Sequence, residues 1–122
     1  MKFRKITTSR GTIILAGRDA KNNEELIAQV GKTEEVFHTA KPGSPFVNIK
    51  GKPKSGDIKQ AAIFCARYSK DWKKSKKDVE VHRFKGRNIF KEKEMKLGTF
   101  GVRKFRRIKV RKNDIIKVEK KK

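Results

Sequence analysis

Apolar and polar positions along the chain alternate in two distinct periods. Phe3–Thr8 and Thr12–Ala16 carry the period-two pattern of strands, joined at Ser9-Arg10-Gly11, which predicts a hairpin. Asn23, Leu26, Ile27 and Val30 then fall at i, i+3, i+4 and i+7, one face of a helix. Asp19 stands where an N-cap would, and Gly31 is expected to end the helix. Glu35–His38 and Phe46–Lys50 read as short strands on either side of the loop 39–45. The strongest helical pattern is Ile58–Ser69, with Asp57 expected as its cap. Ile58, Ala61, Ala62 and Cys65 share its inner face, which Ile63, Phe64 and Tyr68 widen. Val79–Phe84, Thr99–Val102 and Phe105–Val110 read as later strands, and Ile115–Val118 as one more. This order predicts an α+β domain of two helices packed on a mixed or antiparallel sheet. It is expected to span residues 1–118, followed by a frayed basic tail at 119–122.

Charge changes the picture. The chain has 122 residues with 35 Lys and Arg against 13 Asp and Glu, a formal net charge of +22. Such a surface repels itself unless a polyanion screens it. Residues 1–69 carry 13 basic and 6 acidic side chains, whereas residues 70–122 carry 22 and 7. Residues 85–112 are the densest, with 12 basic and 2 acidic. Within them Ile108 and Val110 alternate with Arg107, Lys109 and Arg111. A strand would turn the apolar pair inward and a basic row outward, able to follow a phosphate backbone. The same row also suits an edge strand protected from aggregation by charge.

Several classes drop out. No apolar run approaches the 18 residues of a membrane span, and the N-terminus has no signal-peptide pattern. A single cysteine, Cys65, excludes an internal disulfide and cysteine-pair zinc sites, and two histidines are too few for a histidine-rich metal site. A cytoplasmic, reducing compartment fits, with no metal or cofactor and no membrane partner expected. The oligomeric state stays open.

Candidate chemistry lies at the first helix. Asn23 is a polar residue on its inward face, and a buried amide needs partners. It either braces the loop at Gly17-Arg18 or, with Arg18, faces a groove at the helix N-terminus. Free N–H groups there, with a guanidinium fork, suit a phosphate. Trp72 sits among five lysines between Lys70 and Asp78, where it either stacks on a base or closes the core. The phenylalanines, Phe105 among them, are expected mostly in the core.

Gly17-Arg18-Asp19-Ala20-Lys21-Asn22-Asn23-Glu24-Glu25-Leu26 resembles the G-R-[DN]-A-x-x-N-[DE]-x-L signature of NFACT-R domains. Val36-Phe37-His38, Pro42-Gly43-Ser44 with Phe46-Val47-Asn48-Ile49, Ala61-Ala62 with Tyr68-Ser69, and Gly98–Arg103 resemble further blocks of that family in the same order. Pro45 stands where that family usually has a histidine, so any contact by that side chain is missing. The resemblance implies an RNA-binding module related to ribosome-quality-control proteins, which bind obstructed large subunits and recruit tRNA. Their NFACT-N domain, helix-hairpin-helix motifs and coiled coil find no match here, so a stand-alone archaeal form is expected.

The combined expectation is a non-catalytic module for structured RNA, tRNA or rRNA, linked to translation or ribosome-associated quality control. Its nucleic-acid contacts would come from Arg18, Lys21, Asn23, His38, Lys41, Ser44, Arg103, Arg107, Lys109 and Arg111. Two alternatives stand beside it. One is a metal-dependent nuclease built on Asp19, Glu24, Glu25, His38 and Asp57, for which no phosphate loop or nucleophile–base pair is evident. The other is a non-specific DNA-binding protein.

Overall fold

The computed structural model describes residues 2–120. Two strands, β1 (Arg4–Thr7) and β2 (Ile13–Ala16), form the expected hairpin, in the register Arg4 opposite Ala16. Helix α1 (Ala20–Ala28) follows, then β3 (Glu35–Thr39) and β4 (Val47–Ile49). Helices α2 (Ser55–Arg67) and α3 (Lys70–Ser75) lead into β5 (Val79–Lys85). A 3-10 turn at Gly86–Asn88 precedes β6 (Ile89–Phe90), β7 (Gly101–Val102), β8 (Arg106–Val110) and α4 (Lys112–Lys120). Six strands make one antiparallel sheet in the order β1-β2-β4-β3-β5-β8, and β6 and β7 form a separate two-stranded ribbon.

The central strands β3 and β4 are buried on both faces of the sheet, so it has two cores. Strand alternation sends Phe37, Val47, Ile49, Val79, Val81 and Val110 to one side, against α2 and α4. The next residues in register, Val36 and Phe84, face the other side, where Leu26 of α1 and Phe46 cover them and Phe100 and Val102 pack from the margin. This division places α1 and the β6–β7 ribbon over the same face.

The α+β class holds, with differences in detail. Four α-helices occur among the described residues instead of two. Ile115–Val118, expected as a strand, lies in α4, with Ile115 buried against the first core. Helix α2 begins at Ser55, so Asp57 is its third residue, not its cap; its carboxylate reaches back to accept the Lys54 N–H at 3.0 Å. Of the expected strand Thr99–Val102, only Gly101–Val102 is extended and paired. As for the expected tail, Glu119 and Lys120 belong to α4, and Lys121 and Lys122 lie outside the described residues.

Trp72 closes the core. It is 2% exposed on α3, and its indole N–H donates to Glu119 Oε2 at 3.1 Å. The Ser69 hydroxyl caps α3 by accepting the Trp72 N–H at 3.1 Å. Cys65 is buried, and burial pushes its thiol up to about 12, consistent with an inert side chain.

Candidate nucleic-acid interface

The start of α1 is fixed by two asparagines. Asp19 is the N-cap, as the sequence predicts, accepting the Asn22 N–H at 2.8 Å. Asn23 Oδ1 accepts the Phe46 N–H at 3.1 Å, and the Gly17 N–H donates to the Phe46 carbonyl at 3.0 Å. The buried amide therefore clamps the end of β2 and the start of β4 to the helix. A Cβ on Gly17 would stand 2.0 Å from Asn23 Oδ1, so only glycine admits this contact. The adjacent Asn22 holds Arg18: its Oδ1 accepts the Arg18 backbone N–H at 3.0 Å and lies 3.5 Å from Arg18 Nε. Asn22 Nδ2 donates to Glu25 Oε1, so the amide is committed on both sides.

A cleft of about 500 Å³ opens beside this helix end. Gly17, Arg18 and Asn23 form one wall, and His38 with the segment Pro42–Phe46 forms the next. Tyr68, Lys70 and Lys73 come from the α2–α3 corner, and Leu97–Phe100 from the loop before β7. That loop is docked on α1 by Glu24, whose carboxylate accepts from Lys91 Nζ and from the Gly98 N–H at 2.7 Å. Those hydrogen bonds outweigh the opposing effect of burial and hold the Glu24 carboxyl below its usual range. Gly43, at φ +91°, turns the facing loop, and its carbonyl accepts the Lys70 N–H at 2.7 Å. Leu97 is 60% exposed at the cleft margin.

Aromatic rings form the floor. The His38 ring lies 4.4 Å from that of Phe46, and Phe100 meets Phe46 edge-on at 5.4 Å. His38 Nδ1 donates to the Thr39 carbonyl at 2.8 Å, which assigns the proton to Nδ1 and leaves Nε2 an acceptor. Burial, with His82 nearby, keeps the imidazole below its ordinary value and hence neutral. Ser44 Oγ accepts the Thr39 N–H at 3.1 Å and donates to the Pro45 carbonyl at 3.1 Å, so it shapes the loop.

Four cations line the cleft against one carboxylate, that of Asp19, already engaged as a cap. Arg4 is held by the Gly17 carbonyl at 3.0 Å and by the Tyr68 ring at 4.2 Å. Arg18, Lys70 and Lys73 are exposed. Converging cations, the first-turn N–H groups of α1 and an aromatic floor can together receive a phosphate and the sugar or base attached to it.

The residues singled out from sequence divide between two places. Arg18, Asn23, His38 and Ser44 line the cleft. Lys21 is exposed on α1, and Lys41 lies in the 39–45 loop 3.7 Å from Asp71. Arg103 stacks over the Phe90 ring at 4.7 Å, away from the cleft. Arg107 and Lys109 project from the edge strand β8 and Arg111 follows it, while Ile108 and Val110 turn inward, the alternation expected. Phe105 departs from expectation: it is 43% exposed, stacked on His82 at 3.9 Å. Arg4, Asn22, Lys70 and Lys73 had no signal of their own beyond their types. The nuclease candidates do not assemble. Asp19 and Glu25 serve α1, Glu24 anchors a loop, and Asp57 binds Thr12 and the Lys54 N–H. Among the described residues no three His, Cys, Asp or Glu side chains gather to hold a metal.

Residues 2–104 match the family model described as NFACT protein RNA binding domain. The chain belongs to that family. Its NFACT-R sequence is 32% identical over 107 residues to the archaeal Rqc2 homolog aRqcH of Methanocaldococcus jannaschii. That match covers 81% of this chain and spans only 16% of the relative's length. The fold is similar to that of the C-terminal of the fibronectin/fibrinogen-binding protein from Streptococcus suis, with a TM-score of 0.83 and 25% identity. There it covers 97% of this chain and 49% of the other, so the shared fold runs beyond residue 104 into β8 and α4. No helix among the described residues is long and apolar enough to cross a membrane.

Proposed function

We propose that this NFACT-R domain binds structured RNA, a tRNA or rRNA segment, without catalysis, in a role tied to translation or ribosome-associated quality control. The observation that carries this reading is the cleft itself. Four segments far apart in sequence, around residues 17–23, 38–46, 68–73 and 97–100, converge on it and surround an aromatic floor with cations. Arg18 makes the selective phosphate contact, oriented by Asn22. Neutral His38 offers Nε2 as an acceptor to a ribose hydroxyl or a base N–H, a contact that a protonated imidazole would refuse. The row Arg107, Lys109 and Arg111 adds affinity without reading sequence. The family match, described as an RNA binding domain, supports RNA as the ligand, and the similarity to an archaeal Rqc2 homolog supports the quality-control setting.

Equilibrium competition between a tRNA and a DNA duplex of equal charge, at one fixed salt concentration, tests this reading. A preference of at least about tenfold for tRNA is expected, because the general phosphate term is common to both. Equal affinity would leave a non-specific polycation that coats DNA. Cleavage of labelled RNA on addition of magnesium or manganese, abolished by Asp19→Asn, would replace the binding reading with a nuclease.

A further inference from the structure

A second basic groove, of about 560 Å³, lies where β5, the 3-10 turn and the start of β8 meet. It shares no lining residue with the first cleft. Five cations line it, Arg83, Lys85, Arg87, Lys104 and Arg106, against one carboxylate. That carboxylate is Glu35, 3% exposed, and it is consumed by its partners. Arg83 donates to it through Nε at 2.9 Å and Nη2 at 3.1 Å, and Lys85 Nζ lies 2.9 Å away. Burial pushes Glu35 up, but the hydrogen bonds from Arg83 and Lys85 outweigh it and hold the carboxyl below its usual range. Arg87, Lys104 and Arg106 are left with no carboxylate within ion-pair distance among the described residues.

Phe105 sits among these cations. Of the tyrosine, the tryptophan and the eight phenylalanines of this chain, it is the exposed one; every other is buried or half-buried. One face of its ring lies on His82, 3.9 Å away and inclined by 16°, and His82 is in turn held by Glu80 at 2.8 Å. The ring is therefore backed by a fixed partner while much of it stays open to solvent. A backed aromatic ring surrounded by unpaired cations fits one chemistry: an unpaired nucleotide whose base stacks on the ring and whose phosphates meet the cations. A duplex offers phosphates but keeps its bases stacked on one another.

We propose that this groove is a second RNA site, specific for a single-stranded segment, with Phe105 as the stacking platform and Arg87, Lys104 and Arg106 as phosphate contacts. The proposal rests on the RNA reading of the first cleft and extends it: one domain holds two RNA segments, the second of them unpaired. The test uses the full chain with two fluorescein-labelled RNAs, a mixed-sequence 12-nucleotide single strand and a blunt duplex of the same sequence. Phe105→Ala is expected to weaken single-strand binding about tenfold and duplex binding less than twofold, the loss that one base–aromatic stack implies. Phe105→Trp is expected to keep the affinity and to add an indole emission that the single strand quenches and the duplex does not, against the constant signal of buried Trp72. Equal losses on both RNAs, no loss on the single strand, or an unquenched Phe105→Trp would overturn the proposal. If the unsubstituted chain binds both RNAs and these selective effects are missing, the second site alone fails. If it binds neither, the RNA reading of the whole domain fails with it.

Discussion

Two segments of this chain each place an aromatic ring among lysines and arginines, and they do opposite things with it. In Lys70–Asp78 the ring is Trp72, 2% exposed; in Arg103–Arg111 it is Phe105, 43% exposed. Local composition does not separate them. The difference lies in the element each sits on and what covers it. Trp72 occupies the first turn of a helix capped by Ser69, where rotation of the helix turns Lys73 and Lys74 outward and the indole inward beneath α4. Phe105 immediately precedes a strand whose parity is set by Ile108 and Val110 packing inward, so Phe105, Arg107 and Lys109 share the outward set. A cationic neighbourhood therefore says nothing about an aromatic side chain until its phase relative to the core is known.

The sharpest way to break that contrast is to truncate both rings. Trp72→Ala removes a buried side chain and its bond to Glu119, and is expected to cost about 3–5 kcal/mol of unfolding free energy in a denaturant titration. Phe105→Ala is expected to cost less than about 1 kcal/mol by the same measurement. Comparable losses would mean that Phe105 is a core residue after all. Next in size is the outward row. Changing Arg107, Lys109 and Arg111 together to Gln is expected to weaken binding to every RNA alike. It should also reduce the slope of log K against log[salt] on single strands by about 2, at roughly 0.7 for each phosphate no longer neutralised. Thermal unfolding should stay cooperative, because none of the three packs in a core.

The smallest effect concerns His38. Its pKa in the folded protein lies below the ordinary value of 6.5, so the unfolded chain binds the proton more readily. Stability is then complete above about pH 6.5 and falls as pH drops through the window below it. Tm is expected to fall between pH 7.5 and 5.5, and His38→Phe to shrink that fall. Glu34 and Glu35 are also held low, so their contribution is lost in a separate window below about pH 4.5 that the substitution leaves in place.

Much of the fold was legible because its signals are local. The β1–β2 hairpin, α1 with its Asp19 cap, and the alternation of β8 are each read from neighbouring residues. Two of the misreadings share one cause, contacts from distant sequence. Ile115, Ile116 and Val118 form a β-branched cluster that favours a strand, yet Asp78 accepts the Lys112 N–H at 2.9 Å and starts a helix there, while Glu119 binds Trp72. Asp57 reads as a cap because it precedes the apolar stripe, but its carboxylate also serves Thr12 from the β1–β2 hairpin at 2.9 Å, and the helix begins earlier. The cleft was half legible. Asn23 stood out as a polar residue on an apolar face and proves to be the brace between α1 and Phe46. Its neighbour Asn22, which orients Arg18, carried no such contrast. Arg4, Lys70 and Lys73 join the cleft through tertiary packing alone. Phe105 was readable: counting back by twos from Lys109 assigns it to the basic face.

The cleft beside α1, as we propose it, is a site and not merely part of a positive surface. Arg18→Gln set against Lys52→Gln, in binding one tRNA at one salt concentration, decides between the two. Each removes a single charge from an exposed side chain, and Lys52 lies outside the cleft. A charge-assisted contact of about 1.5–3 kcal/mol at Arg18 predicts an affinity loss at least tenfold greater than that of the control, with Tm little changed in either variant. Equal losses from the two substitutions would contradict the claim and leave only the general attraction of a chain of net charge +22 for any polyanion.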